Sequence, residues 1–380
     1  MRVLQLLSSA GIYGAEKMVV NLAKGLDQMG CQCVLGVFDN MHVESSDVVS
    51  YMQQQNLPVV VIPCKGKIDG TTASAIHGCI NDYDINLIHS HGYKTDAYGY
   101  LAARNTGVPI VATSHLWTRR TTPLRLYAYI DQLILRRFNH VVAVSDEIAT
   151  EIRAAGVSSD KVSVIDNGVD LEAFQKPSLK VRAEFGESGM RIVGGVGRLV
   201  DQKGFDYLLR AVPRILERFP NTKFLIVGEG TERAKLEALA SELNISRQVQ
   251  FLGVRSDMPS VYASFDVFVL PSVNEGMPIA LIEAMASAKP VVATRVAAVP
   301  KIVVHGETGL LIEPKNPEAL SNAICLLLEN SALCERLSKA ALARIQQQFS
   351  SEVMAQRYLR LYHQLRINDG RIADRALCKN

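Results

Sequence analysis

Four charged side chains carry the chemistry this sequence could do: Arg198, Lys203, Glu275 and Glu283. Glu275 falls in a polar, glycine-bearing stretch at 271–277, whereas Glu283 interrupts the apolar run IALIEAM. Eight positions separate them, a little over two turns of helix, so both can face one side at different depths. A carboxylate inside an apolar run needs a partner. One reading is an ordinary ion pair on a capped helix. The other is a ligand site in which the carboxylates hold hydroxyls while the N–H groups of Met277, Ile279 and Ala280, beside Gly276 and Pro278, face phosphates. Arg198 and Lys203 follow Gly197 in the run GGVGRLVDQKG, where glycine permits close backbone approach and two cations suit a diphosphate. The other reading of the same two charges is that they are solvated on a surface loop.

The elements that must position these groups are short apolar strands alternating with helices. Residues 266–270 read as a buried strand stopped by Pro271, and 278–287 as a helix with Pro278 at its first position. The segment 290–293 reads as the next strand. In the first half, strands are expected at 3–7, 33–38, 59–62, 86–90, 109–113, 140–144 and 162–165. The second half repeats the rhythm at 191–196, 223–227, 248–252, 266–270, 290–293 and 309–312, with helices between. Such alternation implies parallel sheets covered on both faces, with ligands beyond the carboxyl ends of the strands. Gly14, His115, Gly197, Gly228, Gly253 and Val254 fall in that layer. Gly14, in the strand-to-helix loop 8–16, serves either a tight turn or close approach to a ligand. His115 is either a satisfied structural histidine or a ligand contact. Gly228 and Gly253-Val254 are placed so that backbone groups could read a nucleobase edge.

Composition narrows the class. The chain has 380 residues, 48% of them hydrophobic, and a formal net charge of +3. That length suits two domains, and that charge gives no argument for nucleic acid. The expected division is a domain over 1–175, a second over 176–350 with a polar linker at 170–188, and a terminal helix in 351–380 that packs back toward the first. No apolar run is long enough to span a bilayer, and the N-terminus reads as a first strand. The seven cysteines are scattered, which points to free thiols in a reducing cytoplasm. Residues 116–139 mix Arg119, Arg120, Arg125, Arg136 and Arg137 with Trp117, Tyr127 and Tyr129. That segment is either a packed helix with its arginines in water or a face that meets anionic lipid at the cytoplasmic membrane surface.

In order and spacing, GRLVDQKGFDYLLRA, IVGEG, FLGV and EGMPIALIEAMASAKPVVAT, with GAE near the N-terminus and VSD…NGVD midway, resemble the retaining glycosyltransferases of family 4. The resemblance covers nearly the whole chain. It implies the GT-B fold, two Rossmann-like doubly wound domains facing across a cleft. It implies transfer of a hexose from a UDP-sugar or GDP-sugar, UDP favoured, to a glycan or lipid-linked acceptor in cell-surface polysaccharide or glycolipid synthesis. No prosthetic group and no metal are expected. By this resemblance Arg198 and Lys203 hold the donor diphosphate, Glu275 contacts the donor sugar and Glu283 the ribose. Gly14 and His115 lie near phosphate and sugar. With no carboxylate to place beneath the anomeric carbon, same-face attack is favoured over a covalent intermediate.

The chain departs from the family pattern after the helix. Ala297-Ala298-Val299-Pro300-Lys301 stands where Gly-Gly-x-Pro-Glu is common, which leaves the donor sugar open. Two alternatives remain: a GT-B-shaped epimerase or phosphorylase, and a binder of nucleotide-sugars without catalysis.

Overall fold

The computed structural model describes residues 1–8, 11, 14–40, 46–65, 69–115, 122–175, 178, 180–185 and 189–377. The chain divides into two compact units, one of residues 1–168 with 351–380, the other of 169–350. Each is built on one parallel sheet.

The first unit contains β1 (Arg2–Leu7), β2 (Gln32–Asn40), β3 (Val59–Cys64), β4 (Leu87–Ser90), β5 (Ile110–Ser114), β6 (His140–Ala143) and β7 (Val162–Val164). Their spatial order is β3-β2-β1-β4-β5-β6-β7. Register is fixed by pairs such as Val3↔Cys33 and Val3↔Leu87. β4 and β6 are buried along their whole length, which is why they show no apolar–polar alternation; their histidines, His89 and His140, are buried with the rest. The helix Gly14–Gln28 covers one face and begins inside the stretch expected to be loop. Met18, Val19, Leu22 and Leu26 recur at helical spacing and are buried there. The terminal helix Ser351–Leu377 contributes Met354, Ala355, Tyr358, Leu361 and Tyr362 to the same core.

The second unit contains β8 (Arg191–Val196), β9 (Thr222–Val227), β10 (Val249–Phe251), β11 (Val267–Leu270), β12 (Val291–Thr294) and β13 (Leu310–Ile312), ordered β10-β9-β8-β11-β12-β13. Its strands start or stop within about two residues of the expected ones. Three expectations need correction. Pro278 is not the first helical residue: its ψ of 99° is extended, so it caps the helix Ile279–Ala286 from outside. Proline's fixed φ suits either position, and only ψ separates them. The stretch 170–188 is not a plain linker, since it holds the short helices Glu172–Gln175 and Lys180–Phe185. An unexpected helix, Ser331–Gln348, starts where Asn330 accepts a hydrogen bond from the Leu333 N–H at 2.9 Å.

In each sheet the strand order reverses direction once, between β1 and β4 and between β8 and β11. In open parallel sheets this switch point is where loops part and a ligand can enter beyond the strand ends. The loops after β8 and β11 carry Arg198, Lys203 and Glu275.

Candidate active site

At the switch point of the second unit, backbone bonds tie the strand-end loops together. Gly197 N–H donates to Val227 O at 2.9 Å, and Gly228 N–H to Gly253 O at 2.8 Å. Gly228 has φ of +134°, and a Cβ there would stand 2.0 Å from Gly197 O, so only glycine lets the β8 and β9 ends come this close. Val273 N–H donates to Gln202 O at 2.9 Å, which joins the loop after β8 to the loop after β11. Gly204, at φ of +64°, reverses the chain after the single turn Asp201–Lys203, and a Cβ there would lie 2.2 Å from Pro271 O.

That reversal aims Lys203 across the gap. Its Nζ donates to both oxygens of Glu275, at 2.7 and 2.8 Å. Ser272 Oγ donates to Glu275 Oε1 at 2.6 Å, and Thr294 Oγ1 donates to Ser272 O at 2.5 Å. The pair is nearly out of water, with side-chain exposures of 16% for Lys203 and 5% for Glu275. An ammonium has three N–H groups, so two serve the carboxylate and one is left to meet a further acceptor. Arg198, in the same loop, is exposed. The helix Ile279–Ala286 begins four residues after Glu275, and no side chain caps it. Its first N–H groups and the positive end of its dipole therefore add to the cationic side of the site.

Glu283 lies within this helix and is buried, not on an open surface. Tyr262 Oη donates to its Oε2 at 2.6 Å. Neither Tyr262 nor Ser272 is singled out by the sequence: an aromatic in SVYASF reads as plain core, and a loop serine carries no signal of its own. Met277 and Ile279 are both buried, at 7% exposure. Gly253 and Val254 follow β10, and Val254 is 74% exposed. Gly276 is part-buried in the same loop as Glu275. Ala297 adopts φ of +41°, a left-handed conformation that strains an L-side chain.

The first unit holds a separate buried polar cluster. His89 bonds Tyr362 Oη through Nδ1 and Thr113 Oγ1 through Nε2, each at 2.7 Å, and Thr113 Oγ1 meets Tyr358 Oη at 2.8 Å. His91 Nε2 lies 2.8 Å from Gln5 Oε1, which accepts, so the ring proton sits on Nε2 and Nδ1 is bare. The His91 and His115 rings are 6.0 Å apart, and His115 Nε2 is buried without a partner among the described residues. Desolvation lowers the His115 pKa to about 4, so its ring is neutral near pH 7. Gly14 opens the first helix of this unit. Its neighbours Ile12 and Tyr13 lie outside the described residues, as do 116–121 of the basic segment. The rest of that segment forms the helix Thr122–Leu135, on which Tyr127, Tyr129, Ile130 and Leu133 are exposed. No described helix is long and apolar enough to cross a membrane.

Residues 12–173 match Glycosyltransferase Family 4, and residues 180–344 match Glycosyl transferases group 1. An uncharacterized glycosyltransferase of Methanocaldococcus jannaschii is 30% identical over 301 residues, covering 74% of this chain and 76% of the relative. The chain is a glycosyltransferase with a family 4 domain and a group 1 domain. A second relative of this glycosyltransferase is the Escherichia coli UDP-Gal:alpha-D-GlcNAc-diphosphoundecaprenol alpha-1,3-galactosyltransferase, 31% identical over 264 residues, with 66% of this chain and 68% of that one covered. Among solved structures, Anabaena HepE in complex with UDP-glucose superposes with a TM-score of 0.83 at 24% identity, over 96% of this chain and 100% of the other. The fold is GT-B.

Proposed function

We propose that this glycosyltransferase transfers a hexose from a UDP-sugar to a lipid-linked or glycan acceptor, with retention of the anomeric configuration and without a metal. The observation that carries the reading is the Lys203–Glu275 pair at the switch point of the second unit, beside the uncapped start of Ile279–Ala286. The E. coli relative's name gives a UDP-sugar donor and a diphosphoundecaprenol acceptor, and HepE was crystallised with UDP-glucose; both support the choice of donor.

The chemistry follows from charge. As the bond between sugar and diphosphate breaks, negative charge grows on the departing phosphate. Lys203, Arg198 and the helix N–H groups, in this reading, stabilise that charge as it develops, which lowers the barrier and not only the binding energy. In this reading Glu275, held by Lys203 and Ser272, receives hydroxyls of the donor sugar, and Glu283 those of the ribose. Gly197, Gly228 and Gly253 allow backbone approach to the nucleotide. The first unit takes the acceptor, with His115 as its candidate contact to the reacting groups.

A panel of UDP-, GDP- and ADP-sugars, followed by product mass and anomeric NMR, tests the whole reading. The expected result is preference for a UDP-hexose, an anomeric configuration equal to the donor's, and activity unchanged by a chelator. Free epimerised sugar or phosphate-dependent cleavage would replace transfer by one of the other GT-B reactions. Binding without turnover would leave a nucleotide-sugar binder.

The acceptor reading extends to the membrane surface. Tyr127, Tyr129, Ile130 and Leu133 expose apolar area on one short helix, flanked in sequence by five arginines. Such a surface binds anionic lipid through both terms. The full chain is expected to sediment with vesicles containing phosphatidylglycerol and to be released by Tyr129→Ser/Ile130→Ser. Equal sedimentation of both proteins would remove this part of the proposal.

A further inference from the structure

Tyr262, on the helix Met258–Ser264, is wholly buried, and three aromatic rings enclose it. Phe174 and Phe265 meet it edge-on, each with centroids 6.0 Å away, and Phe268 lies tilted at 5.9 Å. Packing of this kind fixes the plane of the phenol and so the direction of its hydroxyl. That hydroxyl ends 2.6 Å from Glu283 Oε2. Burial, and then the adjacent Glu283, push the phenol well above its usual pKa of 10, so it remains an O–H donor at any working pH. Glu283 has a broad terminal torsion of its own, and a carboxylate offers about four acceptor positions. The Tyr262 bond occupies one of them and is one of the contacts that hold the carboxylate's plane.

We propose that Tyr262 is a positioning residue for nucleotide recognition: it orients Glu283 so that the carboxylate receives the ribose diol of the donor. The inference rests on the reading above that the second unit binds a nucleoside diphosphate. A diol needs two acceptors in a set geometry, and a carboxylate free to rotate would lose that geometry or order it at an entropic cost. The ribose is remote from the bond that breaks, so its contacts are equal in ground and transition states. Loss of Tyr262's hydroxyl is therefore felt in KM and not in kcat. The ring itself belongs to the core, and Tyr262→Phe keeps it.

The test is calorimetric titration of the full chain with UDP and with 2′,3′-dideoxy-UDP. Wild type is expected to prefer UDP by about 10-fold, the worth of one or two hydrogen bonds to a charged group. Tyr262→Phe should bring that ratio close to one while its affinity for the dideoxy nucleotide stays at the wild-type value. In a Glu283→Gln background, Tyr262→Phe should have no further effect on the ratio, because the two act as one unit. Equal weakening toward both nucleotides would mean a merely structural tyrosine and overturn the inference. So would loss of discrimination in Glu283→Gln with discrimination kept in Tyr262→Phe, and that outcome leaves the donor reading standing. If wild type binds no nucleoside diphosphate, the donor reading falls and takes this one with it. Should Tyr262→Phe fold poorly, the wild-type ratio against Glu283→Gln and Glu283→Asp decides: a carboxylate held in one plane loses discrimination in both, and retention in Glu283→Asp refutes a fixed geometry.

Discussion

Replacing Lys203 with alanine lowers kcat/KM for transfer by about 10²-fold or more, the usual loss when a fixed charge that stabilises a leaving group is removed. The size follows from where the ammonium sits. It is only 16% exposed, so little water screens its action on a neighbouring phosphate. The same substitution has a second consequence. Glu275, at 5% side-chain exposure, loses both hydrogen bonds from Lys203 and keeps the one from Ser272. Removing one member of a buried pair costs roughly 3–5 kcal/mol, because the other charge is left uncompensated. The two effects separate in the double variant. Lys203→Ala/Glu275→Gln removes both charges and is expected to regain most of the stability, read as the urea midpoint, while transfer stays low. A single variant that folds as stably as wild type and loses less than about 10-fold in kcat/KM would show that the diphosphate does not meet Lys203.

Much of the architecture is legible in the residue pattern, and the reason is physical. Strands covered on both faces are mostly apolar, so VFVL at β11 stands out from the polar helices around it, while LIHS at β4 is equally buried but ends in His89 and Ser90. Glycines at strand ends mark close approach: Gly204 and Gly228 are each required by a carbonyl within 2.2 Å of where a Cβ would stand. What is not legible is whatever depends on partners far apart in sequence. Lys203 and Glu275 are 72 residues apart, and nothing in either segment states that they bond each other. Tyr262 and Glu283 are 21 apart, on different helices, and the hydroxyl that meets the carboxylate is hidden in a core-like run. The start of the helix at Ile279 was missed by one residue because proline's φ fits both sides of a helix boundary. The helix Ser331–Gln348 is a different case: Leu333, Leu337, Ala341 and Ile345 repeat every fourth residue, so its pattern is legible in the sequence.

The second large effect is on stability, and it concerns acid. Burial in the first unit lowers His89 to a pKa of about 3, His115 to about 4 and His140 to about 4, and takes His91 well below the ordinary value. All four are neutral when folded near pH 7. The unfolded chain takes up a proton on each near pH 6.5, and the fold cannot until far lower pH, so the unfolded state binds more protons throughout the interval. Stability is therefore full above about pH 6.5 and is lost as pH falls toward 4. At pH 5 His89, His115 and His140 each contribute a loss of roughly 2 kcal/mol, about 6 kcal/mol together, at 1.36 kcal/mol per pH unit below 6.5. Asp96 acts in the opposite direction. Desolvation and then Asp131 raise its pKa well above 3.8, so the folded state holds a proton there that the unfolded chain gives up, and acid returns part of the loss. The histidine contribution alone is a large share of the 5–15 kcal/mol that holds a domain folded. Amide exchange on β4, β5 and β6 should accelerate strongly between pH 7.5 and 5, after correction for the intrinsic rate, with smaller change on β8 and β11. His140 gives the internal control, because its Nε2 meets Ser163 Oγ at 2.9 Å and a glutamine amide can keep that bond. In His140→Gln the acid loss is expected to shrink by about 2 kcal/mol, the share of one histidine. An unchanged loss in that variant would mean that the histidines do not carry the acid sensitivity.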